Sequence, residues 1–315
     1  MKYRVGIDIG GTKIAYGLFD EQFKLVDKKL VKFQPQLPDL EMLDVIADDV
    51  RALAQYNSLE LADIAGVGVV IPGHSYFDKG LLVSASNLPT FHNTPVRDYL
   101  AQNLGVKVLF DNDANGAALA EHRLGAGKGK KDMIYITIST GIGAGIIINN
   151  AVFRGTYGAS GELGHVMMTE NPNICGCGHV GCIEAVGAGT GMAKLARTMI
   201  ANGYKSVIPE LAGGFEKIDP KSIYEAFRQG DAVARRVFDD YADYMGKFFY
   251  NLYQIFNLDT VVYGGGVTKI GPDLMDRIIE RFKYYTPLAG QFPMDFIPAH
   301  FSDDVGIFGA ALLID

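Results

Sequence analysis

The side chains with the clearest chemistry are one histidine and three cysteines in a short stretch of chain. They are His165, Cys175, Cys177 and Cys182, and the chain has no other cysteine. Imidazole nitrogen and thiolate sulfur are the donors that Zn²⁺ takes in tetrahedral sites. The pattern therefore predicts a zinc site closed by four protein ligands, in which the metal is structural. His179 is the alternative fourth ligand, because it also lies close to the cysteines in sequence.

A glycine turn near the amino terminus has the composition of a phosphate-binding loop. It offers a carboxylate, bare backbone N–H groups, a hydroxyl and an amine, from Asp8, Gly10, Gly11, Thr12 and Lys13. Glycine lets phosphate oxygens approach the backbone amides, and the carboxylate would face a phosphate-bound Mg²⁺ through water. Neither a Walker A motif nor a dinucleotide fingerprint occurs. Taken alone, this turn is also compatible with an ordinary hairpin.

Two further glycine clusters strengthen the prediction of a nucleotide site. The segment 139–145 repeats the chemistry of the first turn, with Thr140 and Gly141 at its centre. The run 264–266 follows a strand-like segment and precedes a helical one, so adenosine would lie against the bare backbone of Gly265 and Gly266. Each cluster alone is a weak signal, but three in one chain predict ATP binding.

An acidic segment, Asp111-Asn112-Asp113, stands between a predicted strand and a predicted helix. One of the two aspartates is expected to cap the helix. The other would be a general base that takes the proton of a hydroxyl attacking the γ-phosphate. We assign the base to Asp113, with Asn112 holding a neighbouring hydroxyl of the acceptor.

The scaffold for these residues is predicted to be an α/β protein with two lobes. Strands are expected at 5–9, 14–18, 25–33, 65–71, 107–110, 133–139, 143–149 and 260–263, and helices at 40–56, 96–104, 114–124, 234–255, 272–284 and 306–314. Strands that alternate with helices in two successive blocks are typical of this class. Residues 155–184 have no periodicity, and so long a loop needs a constraint such as bound metal.

Composition excludes several other classes of protein. The chain has 315 residues, a net charge of −7 and 48% hydrophobic residues, as a soluble globular protein has. An acidic balance disfavours nucleic-acid binding. No apolar run is long enough for a membrane helix, and the amino terminus lacks the features of a signal peptide. We therefore expect a cytoplasmic protein without nucleic-acid or membrane partners.

The chain resembles the ROK family (repressors, open reading frames, sugar kinases) over essentially its whole length. The matching segments are DIGGTK at 8–13, NDAN at 112–115, STGIGAG at 139–145, GASGELGH at 158–165, CGCGHVGCIEA at 175–185 and GGGV at 264–267. The resemblance implies the actin-like ATPase (ribonuclease H-like) fold, with ATP and sugar bound in the cleft between two lobes.

By position, the resemblance also implies roles for individual residues. Asp113 is the expected base, and the expected sugar ligands are Asn112, Glu162, His165 and Glu184, with Gly73 and Asn87 as further sugar contacts. His165 would then contact both zinc and sugar. The chain departs from the family at Ala188, where serine is usual, and at Ser139 and Ala144, where glycine is common.

The function expected from the resemblance is ATP-dependent phosphorylation of the 6-hydroxyl of a hexose, as in a glucokinase. Kinases of N-acetylmannosamine and N-acetylglucosamine share the same motifs and stay open as alternatives. A sugar-responsive transcriptional regulator is disfavoured, because Asp8 stands too near the start for a preceding DNA-binding domain. We expect a small lobe at 1–113, against which a helix at about 304–315 packs, a large lobe at 114–303 that holds the zinc loop, and a homodimer.

Overall fold

The computed structural model describes residues 2–287 and 291–315. The chain forms two compact units. The first unit comprises Met1–Lys131, Gly145–Gly161 and His300–Asp315, and the second comprises Asp132–Ala144 and Glu162–Ala299. The division into lobes at residues 113 and 114 stays a prediction.

The strands are β1 Tyr3–Ile9, β2 Lys13–Phe19, β3 Leu25–Lys32, β4 Ile64–Ile71, β5 His74–Tyr76, β6 Leu81–Ser84, β7 His92–Thr94, β8 Val108–Asn112, β9 Met133–Ile138, β10 Ile142–Ile148, β11 Ala151–Val152, β12 Thr260–Gly264 and β13 Asp295–Pro298. The α-helices are α1 Asp39–Tyr56, α2 Val96–Leu104, α3 Asp113–Arg123, α4 Glu184–Gly187, α5 Gly189–Ala201, α6 Ile208–Leu211, α7 Pro220–Arg228, α8 Ala232–Phe256, α9 Pro272–Tyr285 and α10 Val305–Leu312. Short 3₁₀ turns complete the described elements, among them Leu163–His165 and Val267–Lys269.

The first unit is built on a mixed sheet with the strand order β3-β2-β1-β4-β8. Strand β1 pairs antiparallel with β2 and parallel with β4, which pairs parallel with β8. Side chains alternate between the two faces of a strand. Ile7 and Ile9 accordingly join a core with α1 and α2, whereas Gly6 meets α10 on the opposite face, where a Cβ would lie 2.0 Å from the carbonyl oxygen of Ile307.

The second unit is built on the strands β10, β9, β12 and β13, in that order. Strand β12 runs parallel to both β9 and β13. The long helix α8 packs against α9 and α5, and its aromatic stripe, including Tyr241 and Phe248, is fully buried. Strand β10 continues from this unit into the first, where its last residues pair with β11.

The strands and helices predicted from sequence all occur, with ends that shift by a few residues. Sequence reasoning missed the small sheet β5-β6-β7, the helices α5 and α7, and β13. Strands of three or four residues are too short to show an alternation. Helix α7 did carry a signal in the sequence, because Asp219 directly precedes Pro220, a typical start of a helix. In the structure the Asp219 side chain accepts a hydrogen bond from the Ser222 N–H. None of the helices in the described ranges combines the length and apolarity that crossing a membrane requires.

Candidate active site and metal centre

The predicted phosphate turn of the first unit connects β1 to β2. The Gly10 N–H donates a 2.9 Å hydrogen bond to the Lys13 carbonyl and closes the turn. Thr12 and Lys13 are exposed at its tip. Gly11 packs against Asn87, because a Cβ at position 11 would lie 2.8 Å from the Asn87 Cβ. A predicted phosphate contact and a predicted sugar contact thus touch each other within one unit.

Asp8 lies in β1 just before this turn, on the face that meets α10. The pKa of the Asp8 carboxyl is raised to about 6, mainly by burial and also by the nearby Asp113 carboxylate, and Lys13 opposes both effects. The first residues of α10 make room for Asp8, since a Cβ on Gly306 would lie 2.3 Å from the Asp8 Oδ2. Two carboxylates that repel each other in a partly buried position suit a divalent cation or its bound water.

The segment Asp111–Asp113 forms the junction between β8 and α3. Asn112 caps the helix, and its side-chain oxygen accepts hydrogen bonds from the N–H groups of Ala114 and Asn115. The expectation that an aspartate caps this helix is therefore wrong. Asn112 occupies the cap because the helix begins at Asp113, while Asp111 lies in β8, buried and bonded to other groups.

Asn112 and Gly73 lie at the neighbouring ends of β8 and β4. The Asn112 Nδ2 donates to the Gly73 carbonyl at 3.4 Å, a long bond that leaves most of the donor capacity of the amide for another acceptor. Gly73 has φ +106 and is surrounded closely, since a Cβ would lie 2.4 Å from the Ser84 carbonyl oxygen. A side chain is therefore excluded at position 73 by backbone strain and by space.

Asp113 is the first residue of α3 and is exposed. Its Oδ1 accepts a 2.9 Å hydrogen bond from the Ala114 N–H, which fixes one oxygen and orients the other. A carboxylate that is both anchored and accessible can receive a proton from an incoming hydroxyl.

The predicted zinc ligands come together in the second unit. The ligand atoms of His165, Cys175, Cys177 and Cys182 all lie within 4.8 Å of one another. His165 ends the 3₁₀ turn Leu163–His165, and Cys182 forms an isolated bridge with Met167. The aperiodic loop is therefore folded back on itself at the cluster. His179 contacts Cys177 at 3.5 Å but is not a member of the four-residue group, which favours His165 as the nitrogen ligand.

The donor set of this cluster fits a tetrahedral Zn²⁺ ion. Burial raises the pKa of the Cys175 thiol to about 12 and raises that of Cys182 as well. A backbone hydrogen bond from His179 lowers the pKa of Cys177 to about 6. Without a cation, the buried thiols of Cys175 and Cys182 stay protonated beside the Cys177 thiolate. A bound divalent cation would favour the thiolate form of all three.

Glu184 connects the metal cluster to the second phosphate loop. Its Oε2 accepts a 2.8 Å hydrogen bond from the Ile142 N–H, and its Oε1 lies 3.4 Å from the Cys175 Sγ. Gly141 is packed against the same carboxylate, 2.6 Å from a built Cβ to Oε2. His165 Nε2 lies 3.9 Å from the Glu162 carboxylate. The three predicted sugar ligands of this unit are therefore neighbours.

The remaining predicted ATP contacts are placed by β9, β10 and β12. The Thr140 carbonyl accepts a hydrogen bond from the Thr190 hydroxyl at the start of α5. Gly265 has φ +95 and lies against β9, where a Cβ would be 2.3 Å from the Ile138 carbonyl oxygen. Gly266 is exposed beside it. Glycine is thus required at position 265 to bring the end of β12 close to β9.

The structure groups the predicted site residues into two sets, one in each unit. The first unit holds Asp8, Gly10, Gly11, Thr12, Lys13, Gly73, Asn87, Asn112 and Asp113, and the second holds Thr140, Gly141, Glu162, His165, Cys175, Cys177, Cys182, Glu184, Gly265 and Gly266. Sequence reasoning missed Arg154, which pairs with Asp111, and no periodicity or motif spacing indicated that pair.

Comparison with solved structures identifies the class. The chain superposes with a TM-score of 0.83 on a ROK hexokinase from Thermus thermophilus, at 32% identity over 98% of this chain and 97% of that one. A ROK glucokinase from Streptomyces griseus, solved with glucose and AMPPNP, gives a TM-score of 0.78 at 31% identity, covering 99% and 98%. The fold is therefore the α/β fold of the actin-like ATPases.

Sequence comparison identifies the family. Residues 4–315 match the model of the ROK family, and the chain belongs to that family. It is 33% identical over 310 residues to a glucokinase from Thermotoga maritima, covering 98% of this chain and 96% of that protein. It is also 30% identical to an N-acetylmannosamine kinase from Escherichia coli O157:H7 (98% and 97% covered) and 28% identical to a xylose repressor from Caldicellulosiruptor bescii (98% and 77% covered).

Proposed function

We propose that this protein transfers the γ-phosphoryl group of ATP to the 6-hydroxyl of a hexose, as a glucokinase does. The main support is the pair of carboxylates in the first unit. Asp113 is exposed at the start of α3, and the pKa of the nearby Asp8 is raised by burial and by the charge of Asp113. One acid would accept a proton and the other would face a phosphate-bound cation. Similarity to glucokinases over nearly the full length of both chains supports the same reaction.

The reaction assigns one role to each of these groups. Asp113 takes the proton of the 6-hydroxyl as the oxygen attacks the γ-phosphorus. The new bond joins that oxygen to phosphorus, the bond from phosphorus to the bridging oxygen breaks, and ADP leaves with that electron pair. Asn112 orients the sugar through Nδ2, since its Oδ1 is occupied by the cap of α3.

The nucleotide would be held by the glycine turns. The N–H groups of Gly10, Gly11 and Gly141, with Thr12, Lys13 and Thr140, would contact the phosphates, and Gly265 and Gly266 would lie against the adenosine. Mg²⁺, when bound with ATP, neutralises charge on the phosphates, and Asp8 would hold it through water.

Zn²⁺ would be structural and would shape the sugar pocket. Held by His165, Cys175, Cys177 and Cys182, it would have no open coordination position for catalysis. The ligand set includes one predicted sugar contact, His165, and lies beside Glu162 and Glu184. Gly73 and Asn87 are proposed as further sugar contacts.

The substrate is tested directly by ADP release with a panel of sugars. We expect turnover with glucose or a closely related hexose, and none with Asp113→Asn. Turnover confined to N-acetylmannosamine or N-acetylglucosamine would replace the hexose by the second candidate, which the relative from Escherichia coli favours. Sugar binding without turnover, for any sugar, would favour the regulatory role of the repressor relative. A cytoplasmic homodimer without nucleic-acid partners belongs to the same proposal.

A further inference from the structure

Arg154 forms a buried ion pair with Asp111 inside the first unit. Its Nε donates a 2.8 Å hydrogen bond to the Asp111 Oδ2, and its Nη2 lies 2.7 Å from the same oxygen in an ion pair. The Asp111 side chain is 1% exposed and that of Arg154 is 24% exposed. Arg154 follows β11, in the loop that leads towards Glu162. A buried carboxylate without such a partner is costly, so the pair fixes both segments.

The other oxygen of Asp111 holds the start of α3. The Asp111 Oδ1 accepts a 2.8 Å hydrogen bond from the Asn112 N–H and another of 2.8 Å from the Asn115 Nδ2. These two donors stand on either side of Asp113. The carboxylate of Asp111 therefore sets the direction in which the chain turns from β8 into the helix, and with it the place of Asp113.

Arg154 is itself held by an aromatic ring and borders a cavity. Its guanidinium carbon lies 4.0 Å from the centre of the Phe77 ring, a cation–π contact. Phe77 stands in the hairpin between β5 and β6, a few residues after Gly73. The cavity has a volume of about 550 Å³, and Phe77, Phe153, Arg154 and Thr156 are among its walls. A small cation could reach the place of the guanidinium through this space.

We propose that Arg154 is a positioning residue for phosphoryl transfer, which acts on Asn112 and Asp113 through Asp111. The inference rests on the proposed function, in which Asp113 is the base. Misplacing a reacting group by about 1 Å can cost roughly 10²-fold in rate. Lysine cannot replace arginine fully here, because two N–H groups of a planar fork and a flat face against Phe77 are used together.

The test compares Arg154→Met and Arg154→Lys with Arg123→Met. This control removes an exposed ion pair at the end of α3, the helix that begins with Asp113. We expect kcat to fall roughly 10²-fold in Arg154→Met and by less in Arg154→Lys. The KM for ATP should stay within about twofold, because the phosphate loops are untouched. The control should keep wild-type kcat. A kcat above half the wild-type value in folded Arg154→Met would overturn the proposal.

A double variant separates positioning from stability. Arg154→Met alone leaves a buried unpaired charge and should lower Tm, whereas Arg154→Met with Asp111→Asn removes both charges and should recover much of the Tm. We expect kcat of the double variant to stay low, because the amide at position 111 is no longer held by Arg154 and can turn away from its two donors at the start of α3. Recovery of kcat together with Tm would show that the pair only stabilises the fold.

Chemical rescue gives the most specific readout. Guanidinium ion at millimolar concentration should raise kcat of Arg154→Ala several-fold, and an equal concentration of sodium ion should not. Absence of rescue in a folded variant would contradict the role of the guanidinium. The two failures are distinguishable. A wild-type protein that turns over no sugar of the panel contradicts the proposed function, whereas an active wild type with no rescue of Arg154→Ala contradicts only the role of Arg154.

Discussion

Glu184 accepts a 2.8 Å hydrogen bond from the backbone N–H of Ile142. Glu184 stands two positions after Cys182, a predicted zinc ligand, and the bond ties it to the loop that is expected to bind phosphate. Glu184, an expected sugar contact, thus touches both the predicted metal cluster and the predicted ATP loop of the second unit. A change at Glu184 or at Gly141 should therefore alter the kinetic constants for both sugar and ATP.

The first prediction concerns Gly141, which contacts Glu184. Gly141→Ala would place a Cβ 2.6 Å from the Glu184 Oε2, so the carboxylate or the loop must move. We expect the KM values for sugar and ATP both to rise, by roughly tenfold if each loses about 1.4 kcal/mol. Gly176→Ala is the matched control, because no atom lies within 4 Å of a Cβ there. Unchanged constants in Gly141→Ala would show that the bond between Glu184 and Ile142 has no part in binding.

The second prediction concerns Asp8 and pH. Its pKa rises from 3.8 to about 6 on folding, so the protonated form is favoured in the folded state. The protonated Asp8 carboxyl makes its full contribution to the stability of the fold below pH 3.8, and this contribution is lost as the pH rises through about 6. At pH 8, Asp8→Asn should therefore have a higher Tm than wild type, with a free energy of unfolding that is larger by up to about 3 kcal/mol. The two proteins should be equally stable near pH 4.

The control for this measurement is Asp48→Asn, which removes an exposed carboxylate of the same unit. Its Tm should follow that of wild type at both pH values when no Mg²⁺ or nucleotide is present. Asp8→Asn should also lose turnover, because the carboxylate is needed for the cation. Equal stabilities of Asp8→Asn and wild type at pH 8 would show that Asp8 is not under electrostatic strain.

The third prediction concerns the metal. Protein purified without added metal should contain one zinc per chain by elemental analysis, and Cys177→Ser should lose it. We expect the variant to have a lower Tm and a strongly raised sugar KM, with the ATP KM much less affected, because the cluster adjoins Glu162 and Glu184. His179→Gln is the control and should keep its zinc, because His179 lies outside the four-residue group. A folded, zinc-free variant with an unchanged sugar KM would separate the metal from the pocket.

Much of the fold could be predicted from the sequence, because buried strands and long amphipathic helices carry their period in the chain. The glycine turns and the histidine–cysteine spacing likewise pointed to Gly10, Gly141 and the metal cluster. The features that could not be predicted are contacts between residues far apart in the sequence. Arg154 and Asp111 are 43 positions apart, and their ion pair follows no local pattern.

The central claim is that Asp113 is the base for phosphoryl transfer to a sugar hydroxyl. Asp113→Asn keeps the size of the side chain and removes its basicity, and general bases contribute about 10²–10⁴-fold. Asp98→Asn, in the exposed first turn of α2, is the control. The decisive measurement is kcat in the ADP-release assay, alongside sugar affinity by calorimetry. We expect a loss of at least about 10²-fold in kcat for Asp113→Asn, with sugar affinity largely kept and the control unchanged. Retention of a third or more of wild-type kcat would contradict it.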